Sequence, residues 1–422
     1  MKVLWLTDSP AGASNYVNQN MPGRGWIAAL GDTIKLNNEV ELAVCFFSNT
    51  INDFKFVYDG ITYYPIKDKL STKVGKILSK LFQEMYDSNL SGLLRVVDDY
   101  KPDVIHLFGT ETGLGELVGQ TKVPIIIHIQ GLVNPILFNW TPRGFSMTRI
   151  LVNSSLRDLV YRRDLRSGYV LLKKMAKREE SIIKNAKYFF GRTDWDKRVI
   201  YLMNSQSQYF YCNEVLRPFM YQRKWVYKNN GRVVLISIMN PQIYKGLDII
   251  LETAQLLKHK TKMQFEWNII GLEHHNRVAR VIEKVKRTSF KDNSIFFKGV
   301  KQGDELVAEL LESDLFVHCS HIDNSANSVC EAMLLGMPVV ASNVGGTSSL
   351  IKSGFDGICY SSQDTYDLAS IILKTAFDID ELKRLGANAR ETALVRHDKT
   401  TIASTVLDTY VRIIDQEKQQ YT

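Results

Sequence analysis

A chain of 422 residues has the size for roughly two or three domains with full hydrophobic cores. With 45% hydrophobic and 23% charged residues, wholesale disorder is excluded, and no apolar run of about 18 residues calls for a spanning helix. The net charge of +8 favours anionic partners such as nucleotides, phosphates, an acidic membrane surface or nucleic acid.

The five cysteines (Cys45, Cys212, Cys319, Cys330, Cys359) are scattered and odd in number, so a reducing compartment is expected rather than a disulfide framework. The opening Lys2-Val3-Leu4-Trp5-Leu6-Thr7-Asp8 is too short and meets an acid too soon for a secretory signal, so a cytoplasmic protein is expected.

In chain order, residues 3–7 predict a buried strand. A glycine-bearing loop follows, with Gly12, Gly23 and Gly25, and then a helix from Trp26. The loop is not G-x-G-x-x-G, which leaves a dinucleotide reading weak. Residues 40–46 and 61–65 predict further strands. Residues 71–100 predict a helix with Leu78, Leu81, Met85, Leu93 and Val97 inward.

The strand 104–108 carries His106, read as packing, and is followed by Glu111, a site candidate because it lies past the carboxyl end. The strand Val123 to Ile129 is followed by Gln130-Gly131, with His128 open between core and site. From 143 to 187 arginines and lysines interleave with apolar residues. This pattern suits amphipathic helices on an anionic lipid surface and, equally, a solvated basic face. No nucleic-acid-binding module is visible. Residues 186–193 predict the last strand of a first domain, with a helix starting at Thr193.

A second domain opens like the first: a strand at 233–238, the loop Met239-Asn240-Pro241-Gln242-Ile243-Tyr244-Lys245-Gly246, then a helix. A lysine ahead of a helix start suits a diphosphate. His318 and His321 lack a visible fourth metal ligand and read as packing; Asp378-Ile379-Asp380 reads as a helix cap with Glu381. Between two short strands lies Ser320-His321-Ile322-Asp323-Asn324-Ser325-Ala326-Asn327-Ser328-Val329-Cys330-Glu331, with Gly345-Gly346 beyond. Asp323 and Glu331, eight residues apart across a loop and a helix start, suit two ends of one polyhydroxylated ligand.

This stretch, with Ala332-Met333 and Gly336-Met337-Pro338-Val339-Val340, resembles family 4 of the retaining GT-B glycosyltransferases, where glutamates hold both acidic places. Lys245-Gly246 is similar to the family's Arg-x4-Lys-Gly clamp, with Asn240 in place of the arginine. The resemblance implies an α/β GT-B fold of two Rossmann-like doubly wound domains facing across a cleft. An acceptor domain would cover 1–212 and a nucleotide-sugar donor domain 213–398, with a helix at 399–422 returning to the first.

The implied activity is metal-independent retaining transfer from a nucleotide-diphosphate sugar, of the UDP or GDP type, to a saccharide or lipid-linked saccharide. The nucleotide sugar is a co-substrate and no cofactor is implied. Asp323, Lys245, Gln130 and His128 would be catalytic, Gln130 standing nearest the place of a family histidine. Glu331 would hold the ribose. Asn240, Gly246, Gly299, Asn324, Ser325, Asn327, Ser328, Gly345 and Gly346 would complete the donor side, with the Gly345-Gly346 backbone on the diphosphate. Gly23, Gly25 and Glu111 would lie toward the acceptor. A GT-B epimerase and a non-catalytic nucleotide-sugar binder remain as alternatives. The expected location is cytoplasmic, peripheral on the inner face of the plasma membrane.

Overall fold

The computed structural model describes residues 1–14, 16–17, 25–51, 53–67, 89–229 and 231–420. Gly23 and the expected helical positions Leu78, Leu81 and Met85 lie outside the described residues.

The chain divides into two compact units: Met1–Asn134 with Val170–Arg217 and His397–Thr422, and Pro135–Tyr169 with Pro218–Arg396. The first unit holds β1 (Lys2–Thr7), β2 (Glu41–Phe47), β3 (Phe56–Tyr58), β4 (Ile61–Ile66), β5 (Val104–Phe108), β6 (Ile125–His128), β7 (Tyr188–Gly191) and β8 (Gln208–Tyr211). Their order in the sheet is β3-β4-β2-β1-β5-β6-β7-β8. Every pair is parallel except β3 with β4. That pair is a hairpin turned by Asp59 and Gly60, both at positive φ, as a two-residue turn between right-twisted strands requires. β1 reads as continuous Val-Leu-Trp-Leu because both its faces are covered.

The second unit holds β9 (Val233–Ile238), β10 (Phe265–Ile270), β11 (Ile295–Phe297), β12 (Leu315–His318), β13 (Val339–Ser342) and β14 (Ile358–Tyr360). They are all parallel, in the order β11-β10-β9-β12-β13-β14. Taken along the chain this is 3-2-1-4-5-6, the doubly wound dinucleotide-binding order. The first unit repeats it through β4-β2-β1-β5-β6-β7. Strand order therefore reverses between β1 and β5, and again between β9 and β12. Ligands of such sheets bind at the carboxyl ends beside that reversal.

The final helix, Lys399–Gln420, lies within the expected 399–422 and returns to the first unit. Ile402, Val406, Tyr410 and Ile413 form one stripe at helical spacing and join Trp5, Trp26, Phe108 and Phe190 in the core.

Two differences from the sequence reading stand out. Residues 186–193 hold β7 but not the first unit's last strand, since β8 follows. The segment Pro135–Tyr169 belongs with the second unit, although the first was expected to run unbroken to 212. Its helix Met147–Asn153 packs on the helix Arg277–Lys286. Arg280 pairs with Asp158 at 2.9 Å, Lys284 Nζ donates to the Asn153 carbonyl at 3.3 Å, and Lys286 lies 5.3 Å from the Phe145 ring centre. Helical periodicity marks the buried face of such a segment but not the surface that covers it, here more than a hundred residues later.

Candidate active site

The loops leaving β9 and β12 meet where the second unit's strand order reverses. Gly246 stands at φ +80, and a Cβ there would fall 1.8 Å from the Cys319 carbonyl oxygen, so only glycine lets the two loops touch. The His321 amide donates to the Tyr244 carbonyl at 2.7 Å. His321 Nε2 lies 2.9 Å from Asp248 Oδ1, with both side chains buried, and ties the second loop to the first turn of the helix Leu247–Lys260.

This framework sets Lys245 Nζ 2.7 Å from Asp323 Oδ2, with side-chain exposures of 18% and 15%. The same oxygen has His318 Nε2 at 3.1 Å and Ser320 Oγ at 3.3 Å; Oδ1 accepts the Asn324 amide at 3.1 Å. Burial opposes ionisation of Asp323, but the Lys245 charge and the His318 hydrogen bond outweigh it and hold the carboxyl well below its ordinary range. Burial likewise pulls Lys245 down, and the Asp323 charge outweighs that and raises it. Both partners are charged at neutral pH, leaving a cation and an anion at the mouth of one parallel sheet.

Gly345 stands at φ +50, and a Cβ there would fall 1.9 Å from the Asp323 carbonyl oxygen. That carbonyl accepts the Gly346 amide at 3.1 Å. The Gly346 N–H expected to meet a diphosphate is thus engaged in fixing Asp323. The loop's glycines serve close backbone approach. Asn324 and Ser325 are buried, and Asn327 and Ser328 half-buried, ahead of Glu331, which is 6% exposed in the helix Asn327–Leu335. The N-cap residue of that helix is Ala326, whose side chain makes no capping hydrogen bond. Asn240 is exposed just past β9.

Gly299 lies past the end of β11, where the Gly271 amide donates to its carbonyl at 2.8 Å. A Cβ on Gly299 would fall 2.5 Å from Glu273 Oε1. Glu273, exposed at this edge, was not singled out by sequence reasoning. Among the described residues no group of three or more His, Cys, Asp or Glu is placed to hold a metal ion.

In the first unit, Gly109 at φ +89 leaves room where Glu111 Oε2 and Gln130 Cγ would lie 2.1 and 3.3 Å from a Cβ. Two of the expected residues therefore converge at the carboxyl ends of β5 and β6. Gly25 opens the helix Gly25–Ile34. His128 does not join that edge: its ring has no exposed surface and packs with Trp26, His106, Phe108 and Phe190. His106 Nε2 is 3.2 Å from His128 Nδ1, and His106 Nδ1 is 2.5 Å from the Tyr410 hydroxyl, which also accepts from Trp5 Nε1 at 3.1 Å. Burial pushes both imidazoles well below their ordinary range; for His128 the His106 and Arg192 charges add to it.

Sequence reasoning also missed Arg192 and Glu179. Arg192, paired with buried Glu214 at 3.1 Å, donates to the Gln130 carbonyl at 3.1 Å and so fixes that residue's backbone. Buried Glu179 accepts from Thr110 Oγ1 at 2.6 Å and from the Val133 and Asn134 amides at 2.8 Å each. No local spacing announces either contact.

Two doubly wound units in one chain, with the last helix returning to the first, make this a GT-B fold. Residues 222–392, which contain Lys245, Asp323 and Glu331, match the family model of the glycosyl transferases group 1. The chain is similar to the putative colanic acid biosynthesis glycosyltransferase WcaL of Salmonella typhimurium, 26% identical over 37% of this chain and 39% of that one. Other curated relatives are matched over 67%, 37% and 41% of their own lengths. Among solved structures it resembles sucrose-phosphate synthase from Thermosynechococcus elongatus (TM-score 0.72, 14% identity, 99% of this chain and 100% of that one). It also resembles Anabaena HepE in complex with UDP (TM-score 0.64, 16% identity, 98% and 100%).

Proposed function

We propose that this chain is a retaining glycosyltransferase that moves a sugar from a nucleotide-diphosphate sugar to a saccharide or lipid-linked saccharide, in the assembly of a surface polysaccharide or glycoconjugate. The observation that carries this reading is the Lys245–Asp323 pair at the reversal of the second unit's strand order. The group 1 family match over that region, the polysaccharide role printed for WcaL and the UDP bound by HepE support it.

Lys245 is the cation for the departing diphosphate, where negative charge grows as the glycosidic bond breaks. Asp323 takes hydroxyls of the transferred sugar. Glu331 takes the ribose, and the glycine turn at Gly299 lies toward the base. The carboxyl edge of the first unit, with Glu111 and Gln130, takes the acceptor. His128 acts through packing alone. No step in this scheme draws on a metal.

A non-catalytic nucleotide-sugar binder is the second reading, favoured by exposed Asn240 where the family clamp has a cation and by buried His128. Mass spectrometry of a panel of nucleotide sugars, with and without saccharide acceptors, separates the alternatives. Transfer supports the proposal, isomerisation of the donor marks an epimerase, and binding without turnover marks a binder.

We propose also that the protein is peripheral on the inner face of a membrane, held to anionic lipid by the segment Pro135–Tyr169. No described helix is long and apolar enough to cross a membrane. Val152, Leu156 and Val160, each more than 75% exposed, alternate with exposed Arg149, Arg157, Arg162, Arg163 and Arg166. Each basic residue near such a surface contributes about 1 kcal/mol. Flotation with vesicles containing phosphatidylserine is expected at low salt, and loss of it on reversing Arg162, Arg163 and Arg166 to glutamate. Flotation that ignores lipid charge returns the segment to an ordinary solvated face.

A further inference from the structure

Asp323 is held by more than the cation that the proposed reaction uses. His318 ends β12 with its side chain 4% exposed and its Nε2 3.1 Å from Asp323 Oδ2. An ionised carboxylate only accepts hydrogen bonds, so Nε2 is the donor in this contact. The other ring nitrogen, Nδ1, is buried and meets no hydrogen-bond partner among the described residues. A buried, unpartnered nitrogen carries a free-energy cost that an aliphatic side chain would avoid. The preceding Leu315, Phe316 and Val317 are fully buried and apolar, and an aliphatic residue would extend that run. The ring is therefore badly suited to packing alone, and its one polar contact is with Asp323.

Lys245 and His318 stand on different supports. Lys245 belongs to the short helical turn Ile243–Lys245 in a loop, whereas His318 is fixed in a strand paired with β13. A diphosphate drawn to Lys245 competes for the ammonium that now neutralises Asp323. His318 cannot follow the ligand.

We infer that His318 is a positioning residue: through Nε2 it holds Asp323 Oδ2 while Lys245 turns to the diphosphate, so that the carboxylate keeps its orientation toward the donor sugar. This rests on the proposed donor site and adds to it a residue whose only action is through Asp323.

The test compares His318→Leu with His318→Gln, using the donor identified by the nucleotide-sugar panel and free UDP as a binding probe. The Gln amide nitrogen reaches about as far as Nε2 and can donate; Leu fills the space and cannot. Leu is expected to lower kcat about 10- to 100-fold, the scale of a small misplacement of a reacting group. The donor KM and UDP affinity should stay near wild type in the Leu variant, and Gln should recover most of the lost kcat. A packing role predicts the reverse order, with Leu active and Gln impaired. That result, or a fall in activity that tracks melting temperature in both variants, overturns the inference while the donor site stands. A folded wild type that turns over no nucleotide sugar overturns the proposed function, and this inference with it.

Discussion

The two units share a strand order but fill the place where it reverses in opposite ways. Between β9 and β12 lies a charged pair, Lys245 and Asp323, under loops pressed together at Gly246 and Gly345. Beside β1 and β5 lies a stack of uncharged rings, His106 and His128 among Trp5, Trp26 and Phe108, with the buried Arg192–Glu214 pair next to it. The loops carrying this cation and anion approach through two glycines, each with a backbone oxygen under 2 Å from a notional Cβ. A neutral aromatic stack needs only volume. The same scaffold thus gives one reversal point a charged pair and the other a packed aromatic floor below a half-buried carboxylate and amide.

Substitutions sharpen this contrast. Gly246→Ala should cost the second unit about 2–5 kcal/mol, from left-handed backbone strain and a clash with the Cys319 carbonyl that cannot swing away. Gly109→Ala in the first unit should cost only about 1–2 kcal/mol, since the nearest obstacle is the far end of the Glu111 side chain and not backbone. Denaturant titration followed by hydrogen exchange in each unit checks both; equal costs would break the comparison.

Lys245→Ala should lower turnover about 100- to 1,000-fold while nucleoside affinity changes little, because the ammonium meets charge that grows in the transition state. Equal losses for the intact donor and the bare nucleoside would remove Lys245 from the reaction.

Acid should separate the units in a fixed order. His106 and His128 have folded pKa values below the unfolded one, so the unfolded chain binds more protons once pH falls below about 6.5. Their neutral burial then loses up to about 1.4 kcal/mol per pH unit for each ring. Asp323 is also depressed, but from a carboxylate value, so its contribution is intact above about pH 4 and is lost only as pH falls further toward its folded value. Hydrogen exchange across pH 7 to 3 should show the first unit loosening before the second. The opposite order would contradict the assignment of charge and neutrality.

Glu331→Gln should weaken UDP binding by about 1–3 kcal/mol, the cost of replacing a charged acceptor of ribose hydroxyls. Calorimetry that finds unchanged affinity in a folded variant would take Glu331 out of the ribose site.

Much of the second unit was legible because its site is local in sequence. Strand, polar loop, helix and strand follow within about thirty residues, so the spacing of Asp323 and Glu331 carries its own geometry. Lys245 was readable for the same reason, as a lysine and glycine opening a helix. Their meeting follows from strand order, which sequence alone leaves implicit. His318 looked like packing because an imidazole in an apolar strand shows no partner until the next loop folds back. His128 stood open between core and site because two-residue periodicity places it on the face of Gln130, and the aromatic stack packs around its ring. The Asp59-Gly60 hairpin carried a local turn signal that the strand reading passed over. Arg192 with Glu214 and Glu179 with Asn134 join residues 22 and 45 apart, beyond the reach of any local pattern.

The segment Pro135–Tyr169 also sets a timetable for synthesis. It leaves the ribosome while the first unit is still unfinished, and the helix that covers it, Arg277–Lys286, follows more than a hundred residues later. At bacterial to eukaryotic elongation rates that gap is on the order of ten seconds. Throughout it, Ile150 lacks its cover and faces solvent with the exposed Val152, Leu156 and Val160, beside their arginines. The first unit in turn waits for Tyr410 before its histidine pair is closed. Each unit is thus completed by chain made after the other has begun, and a nascent chain halted near residue 217 would hold a complete version of neither.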